Sequence, residues 1–523
     1  MMRVLLIDQY AYHRATGHIH RWHFSDRGYQ TWGSDTPPRV SYLPLIKESV
    51  DVRVSVTAWG QIGGKTEVEI GDVVAVNVAD VRSVPLFASV YDVTADEWLR
   101  VPLSARPFNV LLIDYVIAGQ PLLVREVEHD APLSSAVTLW RGKAEVPKPQ
   151  RTEIAIPIRD AVLDFDTPIL TERYAGTGGT EGPETLKGTT KERCWGFVPI
   201  MTPQYLGIVG GLHLWSVNGG HPIEGVPTFW DRAYPLIQVT GSPGAGQYRV
   251  DTATGMIWTG TKPPTARCAV QGDKAGGIWR RYIGEVCSQL ATSSGVVTST
   301  DVAAMDATPR TISLHLPAGD TTTYASAFDR LTNSVARGYW DIDNTGTFVV
   351  SRLPTPAGGP SVRTYRYSAG ETDGLRPSED SRALPAKQTI VRFAQHVGAN
   401  EDTVEEASAD DVVLWTKEWR DAPSAEDPAI AAAYGTAAKV ATVDTALALR
   451  SDAEAEAPLW QEELAAARQS YETFVHDGAP GISIGSRLTF EDNIAGFEAG
   501  ASVVVHGRSI REAGGGAQLF VVR

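Results

Sequence analysis

Cysteine is scarce in this sequence, long apolar runs are missing and basic residues are outnumbered; each shortfall excludes something. The three cysteines, Cys194, Cys268 and Cys287, are odd in number and far apart. They give neither a disulfide framework nor a C-x-x-C metal pair, so buried free thiols are expected. No stretch reaches the roughly 18 uncharged apolar residues of a membrane-crossing helix. Near the N-terminus the apolar run 4–7 stops at Asp8. It is too short for a signal sequence and reads as a strand, so synthesis and folding in a cytoplasm are expected. With 62 acidic against 47 basic residues, the formal net charge is −15. That balance argues against sequence-independent nucleic-acid binding, which needs a basic surface to displace counterions. It suits a surface that nucleic acid passes without sticking.

Phosphate-binding signatures are missing too. Gly241-Ser242-Pro243-Gly244-Ala245-Gly246 is followed by Gln247 rather than the Lys-Ser/Thr of a P-loop. Gly176-Thr177-Gly178-Gly179 lacks the further glycine, three residues after Gly178, of the dinucleotide fingerprint. No cofactor is predicted.

What is present points to β structure. A chain of 523 residues is too long for one core, and 49 Gly, 32 Pro and 14 Trp favour short strands and turns over long helices. The expected fold is mainly β with α+β parts, multidomain, built of sandwiches or small barrels with a helical insertion in the C-terminal half. Four parts are read: an N-terminal β domain 1–165, a β-rich middle 166–275 with a long loop 175–191, an α+β domain 276–375, and a C-terminal β domain 376–523 with helices over about 425–476. Alternation predicts strands at 51–57, 73–78, 110–113, 121–127, 136–141 and 154–158, with turns at Gly63-Gly64 and Gly71-Asp72. Hairpins are expected at 247–258, turning at Gly255, and at 339–353, turning at Asp343-Asn344-Thr345-Gly346. Later strands are read at 389–394, 482–490, 502–510 and 518–523. One-sided apolar spacing predicts helices over 277–291 and 323–337, and a stripe of Trp460, Leu464, Ala467, Tyr471 and Phe474 predicts a third.

Several residue sets could carry chemistry, and each has a plainer explanation. Gly481-Ile482-Ser483-Ile484-Gly485 matches the nucleophile-elbow pattern, and His506 follows it. The elbow needs a helix after the serine, whereas residues 487–490 continue as a strand, so Ser483 reads as the polar face of that strand. His18, His20 and His23, with His13 nearby, could ligate a metal. On one strand His18 and His20 share a face while His23 points oppositely, so a polar strand or hairpin is expected and no metal. Asp341 and Asp343 follow Tyr339-Trp340, and paired carboxylates cleave glycosides. The same residues suit the entry to a turn. Glu405-Glu406 and Asp410-Asp411 read as a solvated face.

The strongest single signal is the segment 154–197. Isoleucines at 154, 156 and 158 mark a strand, and apolar residues follow at Leu163, Phe165, Pro168 and Leu170. Between Leu170 and Trp195 only Tyr174 and Leu186 are large and apolar. A loop that long inside a compact domain usually carries an interaction or a moving part.

These residues also carry a resemblance. Leu163-Asp164-Phe165-Asp166-Thr167-Pro168, then Tyr174-Ala175-Gly176-Thr177-Gly178-Gly179, Glu181-Gly182 and Leu186-Lys187-Gly188, resembles a motif of baseplate-hub and tail-tip proteins of long-tailed bacteriophages. Arg27-Gly28-Tyr29 with Asp35-Thr36-Pro37 and Tyr42 is similar to their N-terminal segment. Gly246-Gln247-Tyr248-Arg249-Val250 is similar to the piece after their β-rich middle. Ala327-Phe328-Asp329-Arg330-Leu331, Gly338-Tyr339-Trp340 and Gly346-Thr347-Phe348 resemble their helix-then-hairpin module. Ile484-Gly485-Ser486-Arg487-Leu488, Gly500 and residues 503–505 fit their last β domain. The chain departs from the pattern at Arg193-Cys194-Trp195, where the family more often has Lys-Pro or Arg-Pro.

The resemblance implies a structural virion protein rather than an enzyme. It implies a baseplate hub similar to that of contractile tails: a homotrimer in which two β domains per subunit mimic tail-tube subunits and present a pseudo-sixfold ring to the hexameric tube. The implied partners are further copies of itself, the distal tail or tail-tube protein, the tape measure protein, and central-fibre or tail-tip proteins. DNA would pass through the lumen without specific binding, and assembly would occur in the host cytoplasm. Closed rings need heterologous contacts between subunits, and the loop 175–191 is the expected arm, with Gly176, Gly178, Gly179, Leu186 and Lys187 as its inter-subunit residues. The alternatives are a receptor- or carbohydrate-binding tail module using its Trp and Tyr residues, and a tail-associated hydrolase.

Overall fold

The computed structural model describes the chain apart from residues 1–2, 37, 49–51, 57–65, 77–86, 103–106, 151, 344–345, 358, 379–383, 400, 466–468, 480 and 511–515. The expected turns at Gly63-Gly64 and Asn344-Thr345, and the outer ends of the strands read at 51–57 and 73–78, lie outside the described residues. Elsewhere the architecture is mainly β with α+β parts, as expected, with helices in the C-terminal half.

The N-terminal sheet runs, edge to edge, Glu97–Pro102, Phe87–Asp92, Ile19–Ser25, Arg3–His13, Pro121–Glu128, Val137–Ala144, Glu153–Asp160, Asp72–Val76 and Ile46–Glu48. Leu5 and Ile7 enter a core with Trp22, Trp140, Ile154 and Ile156 on one face. Val4 and Leu6 pack with Tyr29, Val40, Tyr42 and Val127 on the other. Burial on both faces explains why this first strand is a continuous apolar run rather than an alternating one. The segment 110–113 is not a strand but part of the helix Pro107–Asp114. Proline suits a first helical position, where its missing N–H is not needed.

The middle of the chain forms two five-stranded sheets. One is ordered Tyr234–Pro235, Ile223–Asp231, Ala266–Asp273, Arg193–Met201, Ser313–Leu316, and the other Gln204–Val209, Leu212–Ser216, Met256–Thr259, Gln247–Asp251, Ile237–Gln238. Val198, Trp215, Phe229, Tyr248, Ile257 and Cys268 form one buried cluster from both. The hairpin expected at Gly255 is present. All three cysteines are buried free thiols, and burial pushes the thiol of each well up from its usual value.

In the α+β part, the helices Ile283–Ser293 and Tyr324–Thr332 share a core with the hairpin Gly338–Ile342/Phe348–Arg352. Phe165 reaches into it and meets Phe328 edge-on, ring centroids 5.0 Å apart at 88°. The first helix begins later than 277: Ile278 is exposed, and the amides of Arg281 and Tyr282 donate to the Glu285 carboxylate at 3.1 and 3.3 Å. The second stops at Thr332, short of 337, because the chain turns back into the hairpin with Arg337 at φ 61°.

The C-terminal sheet is ordered Arg363–Arg366, Arg487–Glu491, Ala501–Ile510, Ala517–Val522, Ser470–Val475, Arg376–Pro377. A hairpin from far upstream, Val52–Val56/Thr66–Ile70, joins it through Ala501–Ile510. Beside it, the helix Arg450–Ala465 packs on a small sheet of Arg420–Pro423, Ala386–Phe393 and Lys439–Asp444. Two expectations fail here. Trp460 and Leu464 lie on that helix, but Tyr471 and Phe474 belong to the strand Ser470–Val475, paired with Val521 and Gln518. The stripe's helical spacing is overridden by sheet pairing. The strand read at 482–490 begins only at Arg487, since residues 481–486 form a turn closed by the Ser486 amide on the Ser483 carbonyl, 3.0 Å.

Candidate functional site

The loop after Leu170 is closed at its neck. Arg173 and Thr190 form an antiparallel bridge, the Tyr174 amide donates to Thr189 O at 2.9 Å, and the Gly188 amide donates back to Tyr174 O at 2.9 Å. Tyr174 is 2% exposed, and its hydroxyl donates at 2.6 Å to Glu192, itself 1% exposed. The Ser216 hydroxyl and the Gly219 amide, at 3.1 Å for the latter, donate to the other Glu192 oxygen. The buried carboxylate is thereby satisfied from three sides. Burial, with Glu192 next to it, drives the Tyr174 phenol far above its usual range.

Within the loop, Glu181 accepts from Lys191 Nζ at 2.8 Å and from the Ala175 amide at 3.0 Å. The hydrogen bond from Lys191 holds its carboxyl below the usual range. Leu186 packs with Tyr174, Leu206, Leu214, Met256 and Trp258. Gly176 sits at φ 69°, where an added Cβ would meet Lys187 Cβ at 2.7 Å, so this glycine is demanded by close approach. Gly178 and Gly179 face open space, and Lys187 is exposed. The amides of Gly176 and Gly178 are spent on Glu181 O and Gly182 O, at 3.0 and 2.7 Å, so they are not free to cradle a phosphate. Of the five expected contact residues, Gly178, Gly179 and Lys187 lie on the rim, while Gly176 and Leu186 hold the loop's shape. A closed loop of this kind offers a fixed surface for contact.

The histidine candidates and the Asp341, Asp343 and Ser483 candidates fall in two places. His23 turns away from His18 and His20, as its spacing requires, and hydrogen-bonds Asp8 at 2.8 Å. Burial works against the Asp8 anion, but the bond from His23 and the charges of His23 and Arg125 pull its pKa down to about 2. His18 and His20 face Asp92 at a neighbouring strand end.

Asp341 and Ser483 share a cleft with Trp140, Asp160 and Arg508, where the N-terminal sheet, the α+β hairpin and the C-terminal sheet meet. Asp160 accepts from Trp140 Nε1 and from the Val162 amide, both at 2.8 Å. Burial and the Asp160 carboxylate push Asp341 up to about 7. Ser483 lies in the turn before a strand, so the elbow context is absent there. Asp343 does turn work, accepting from the Thr347 amide at 2.9 Å.

No family model matches this sequence, and no curated protein matches it. Among solved structures, the chain is similar to the tail protein from Neisseria meningitidis MC58, with a TM-score of 0.42 and 10% identity, covering 100% of this chain and 96% of that one. It is similar to the 43 kDa tail protein of prophage MuSo2 from Shewanella oneidensis, with a TM-score of 0.38 and 9% identity over 91% and 98% of the two chains. A chain of the virion of a native gene transfer agent particle scores 0.43 at 14% identity over 64% and 85%. These similar structures are tail and virion proteins.

Two groups central to these sites gave no signal in the sequence. Glu192 and Asp92 are single acids in ordinary surroundings, and only their burial shows that each serves several partners. No helix among the described residues is long and apolar enough to cross a membrane.

Proposed function

We propose that this chain is a structural, non-enzymatic component of a phage tail, located in the virion. In this reading it is the baseplate hub at the distal end of the tail. Three copies form a ring that joins the hexameric tail tube to the tip or central fibre and encloses the channel used in DNA ejection. The β domains 1–165 and 376–523 act as the tube-like units. The partners are the distal tail or tail-tube protein, the tape measure protein and the central-fibre or tail-tip proteins.

The observation that carries the reading is the loop between Arg173 and Thr190. Residues 174–188, the loop part of the sequence resemblance, form there one closed, internally bonded element whose outer rim, residues 177–180 and 187–188, is exposed. Such a rim presents fixed backbone to a neighbouring subunit at little ordering cost on assembly. The net charge of −15 suits a channel wall along which DNA slides.

The test is assembly. Mass photometry and negative-stain images of the full chain, alone and with its tail-tube protein, are expected to show a threefold ring. A persistent monomer that never joins purified tails overturns the proposal. Deleting residues 176–187 would remove Leu186 from its apolar cluster. The cleaner variant is therefore Thr177→Arg with Thr180→Arg and Lys187→Glu, all exposed, which is expected to keep the fold and lose the ring. Undisturbed assembly would show that the rim is not the contact.

A further inference from the structure

Two histidines and one aspartate meet at the edge of the N-terminal sheet in a way the tail-hub reading does not use. His20 lies on the strand Ile19–Ser25, opposite Asp92 at the end of the strand Phe87–Asp92. His18 lies two residues earlier and so shares the face of His20. Asp92 Oδ2 is 2.7 Å from His18 Nδ1 and 3.2 Å from His20 Nε2. The three ligand atoms all fall within 4.8 Å of one another.

The surroundings are built. Asp92 and His20 are each 3% exposed. Asp92 Oδ1 accepts from the amides of Thr94 and Ala95, both at 2.9 Å, which fixes the carboxylate and leaves Oδ2 facing the imidazoles. His20 Nδ1 is 2.9 Å from the Tyr115 hydroxyl, and the ring stacks on His13 with centroids 5.1 Å apart. His20 Nε2, buried and aimed at the same point, makes no well-aligned hydrogen bond. Metal-bound histidines characteristically engage their other nitrogen with an oxygen partner. In the tautomer that metal binding requires, His20 Nδ1–H donates to the Tyr115 oxygen and the Nε2 lone pair is left for the ion.

We propose that His18 Nδ1, His20 Nε2 and Asp92 Oδ2 form a mononuclear site for a divalent transition-metal ion, zinc above all. The ion clips the turn before His18 to the turn after Asp92. Imidazole nitrogens favour zinc and its neighbours over magnesium or calcium. Metal–ligand bonds of about 2.0–2.2 Å set tetrahedral ligand separations of about 3.3 Å. His18 must therefore move outward by a few tenths of an ångström, and its partly exposed side chain, 37% accessible, has room to do so. The fourth position opens toward solvent on that side and takes a water.

The experiment uses the untagged full chain, dialysed free of metal and titrated with Zn²⁺ by calorimetry and with Co²⁺ by visible absorption. One equivalent of Zn²⁺ is expected to bind, and Co²⁺ is expected to give the intense visible bands of a tetrahedral nitrogen–oxygen site. His18→Ala should weaken binding by more than about tenfold and abolish the bands. Asp92→Asn keeps the Oδ1 acceptor of the turn, and should weaken binding to a similar degree. His221→Ala, at an exposed pair with Glu172 elsewhere, should change nothing. Absence of saturable binding at one ion per chain, or unchanged affinity and spectrum in His18→Ala and Asp92→Asn, overturns the proposal.

Discussion

Glu456 accepts both terminal guanidinium nitrogens of Arg352, at 3.0 and 2.8 Å, and is fully buried. Arg310 Nε at 2.8 Å and the Ala336 amide at 3.2 Å complete its shell. One carboxylate on the helix Arg450–Ala465 thus ties that helix to the α+β hairpin. Glu456→Gln leaves two largely buried guanidinium groups, 13% and 15% accessible, without their counter-charge and is expected to cost about 3 kcal/mol or more. Glu462→Gln, on the exposed side of the same helix, should stay within about 0.5 kcal/mol. Urea unfolding of the two variants checks the contrast, and equal effects would refute it.

Asp341 sets a pH dependence with a definite sign. Its folded pKa, pushed up to about 7 by burial and by Asp160, lies above the ordinary carboxylate value of about 4. Between these values the folded state keeps a proton that the unfolded chain has released. Its contribution to stability therefore falls as pH rises from about 4 to about 7, and is flat beyond. Asp341→Asn removes this slope. Thermal melts at pH 5, 6, 7 and 8 should show the variant gaining on the parent as pH increases; a constant difference would show that Asp341 titrates normally.

His396 acts in the opposite direction. It is fully buried, and its Nε2 accepts from Arg267 Nε at 3.1 Å. Burial, with Arg267 and Arg420 nearby, lowers its pKa to about 4. The unfolded chain takes up a proton below about 6.5 that the folded one refuses, so stability is lost as pH falls from about 6.5 to about 4. His396→Gln keeps an acceptor and should reduce this acid loss, read as a smaller drop in melting temperature between pH 7 and pH 5.

The loop at Tyr174 makes a graded prediction. Tyr174→Phe removes one of three donors from the buried Glu192 carboxylate and should cost about 1–3 kcal/mol. Gly176→Ala meets both a positive φ and Lys187 at 2.7 Å, whereas Gly178→Ala meets a positive φ in open space. Limited proteolysis within residues 175–188 should be faster in Gly176→Ala than in Gly178→Ala. The reverse order would show that the loop's shape does not depend on that close approach.

Much of the fold is legible because strand alternation and turn residues are local. The hairpins at Gly255 and Asp343, the strand Glu153–Asp160 and the buried thiols follow from spacing and composition alone. The failures have different causes. Tyr471 and Phe474 kept a helical spacing but were drawn into a sheet by pairing with residues more than forty positions later. Residues 110–113 look strand-like and became helix behind Pro107. The loop's glycines were legible as a cluster, but which of them the fold demands depended on Lys187 approaching Gly176.

By itself the sequence determined the class of the protein: β-rich, many-cored, acidic, with free buried thiols and one long glycine-bearing loop. Those properties depend on composition and on neighbours a few residues apart. Only the tertiary structure decided that Val52–Val56 pairs with Ala501–Ile510, that Glu192 closes on Tyr174, that Glu456 holds two arginines and that Asp92 meets His18 and His20. Each of these joins residues distant in sequence, and only burial, which removes competing water, makes such single contacts strong enough to shape the molecule.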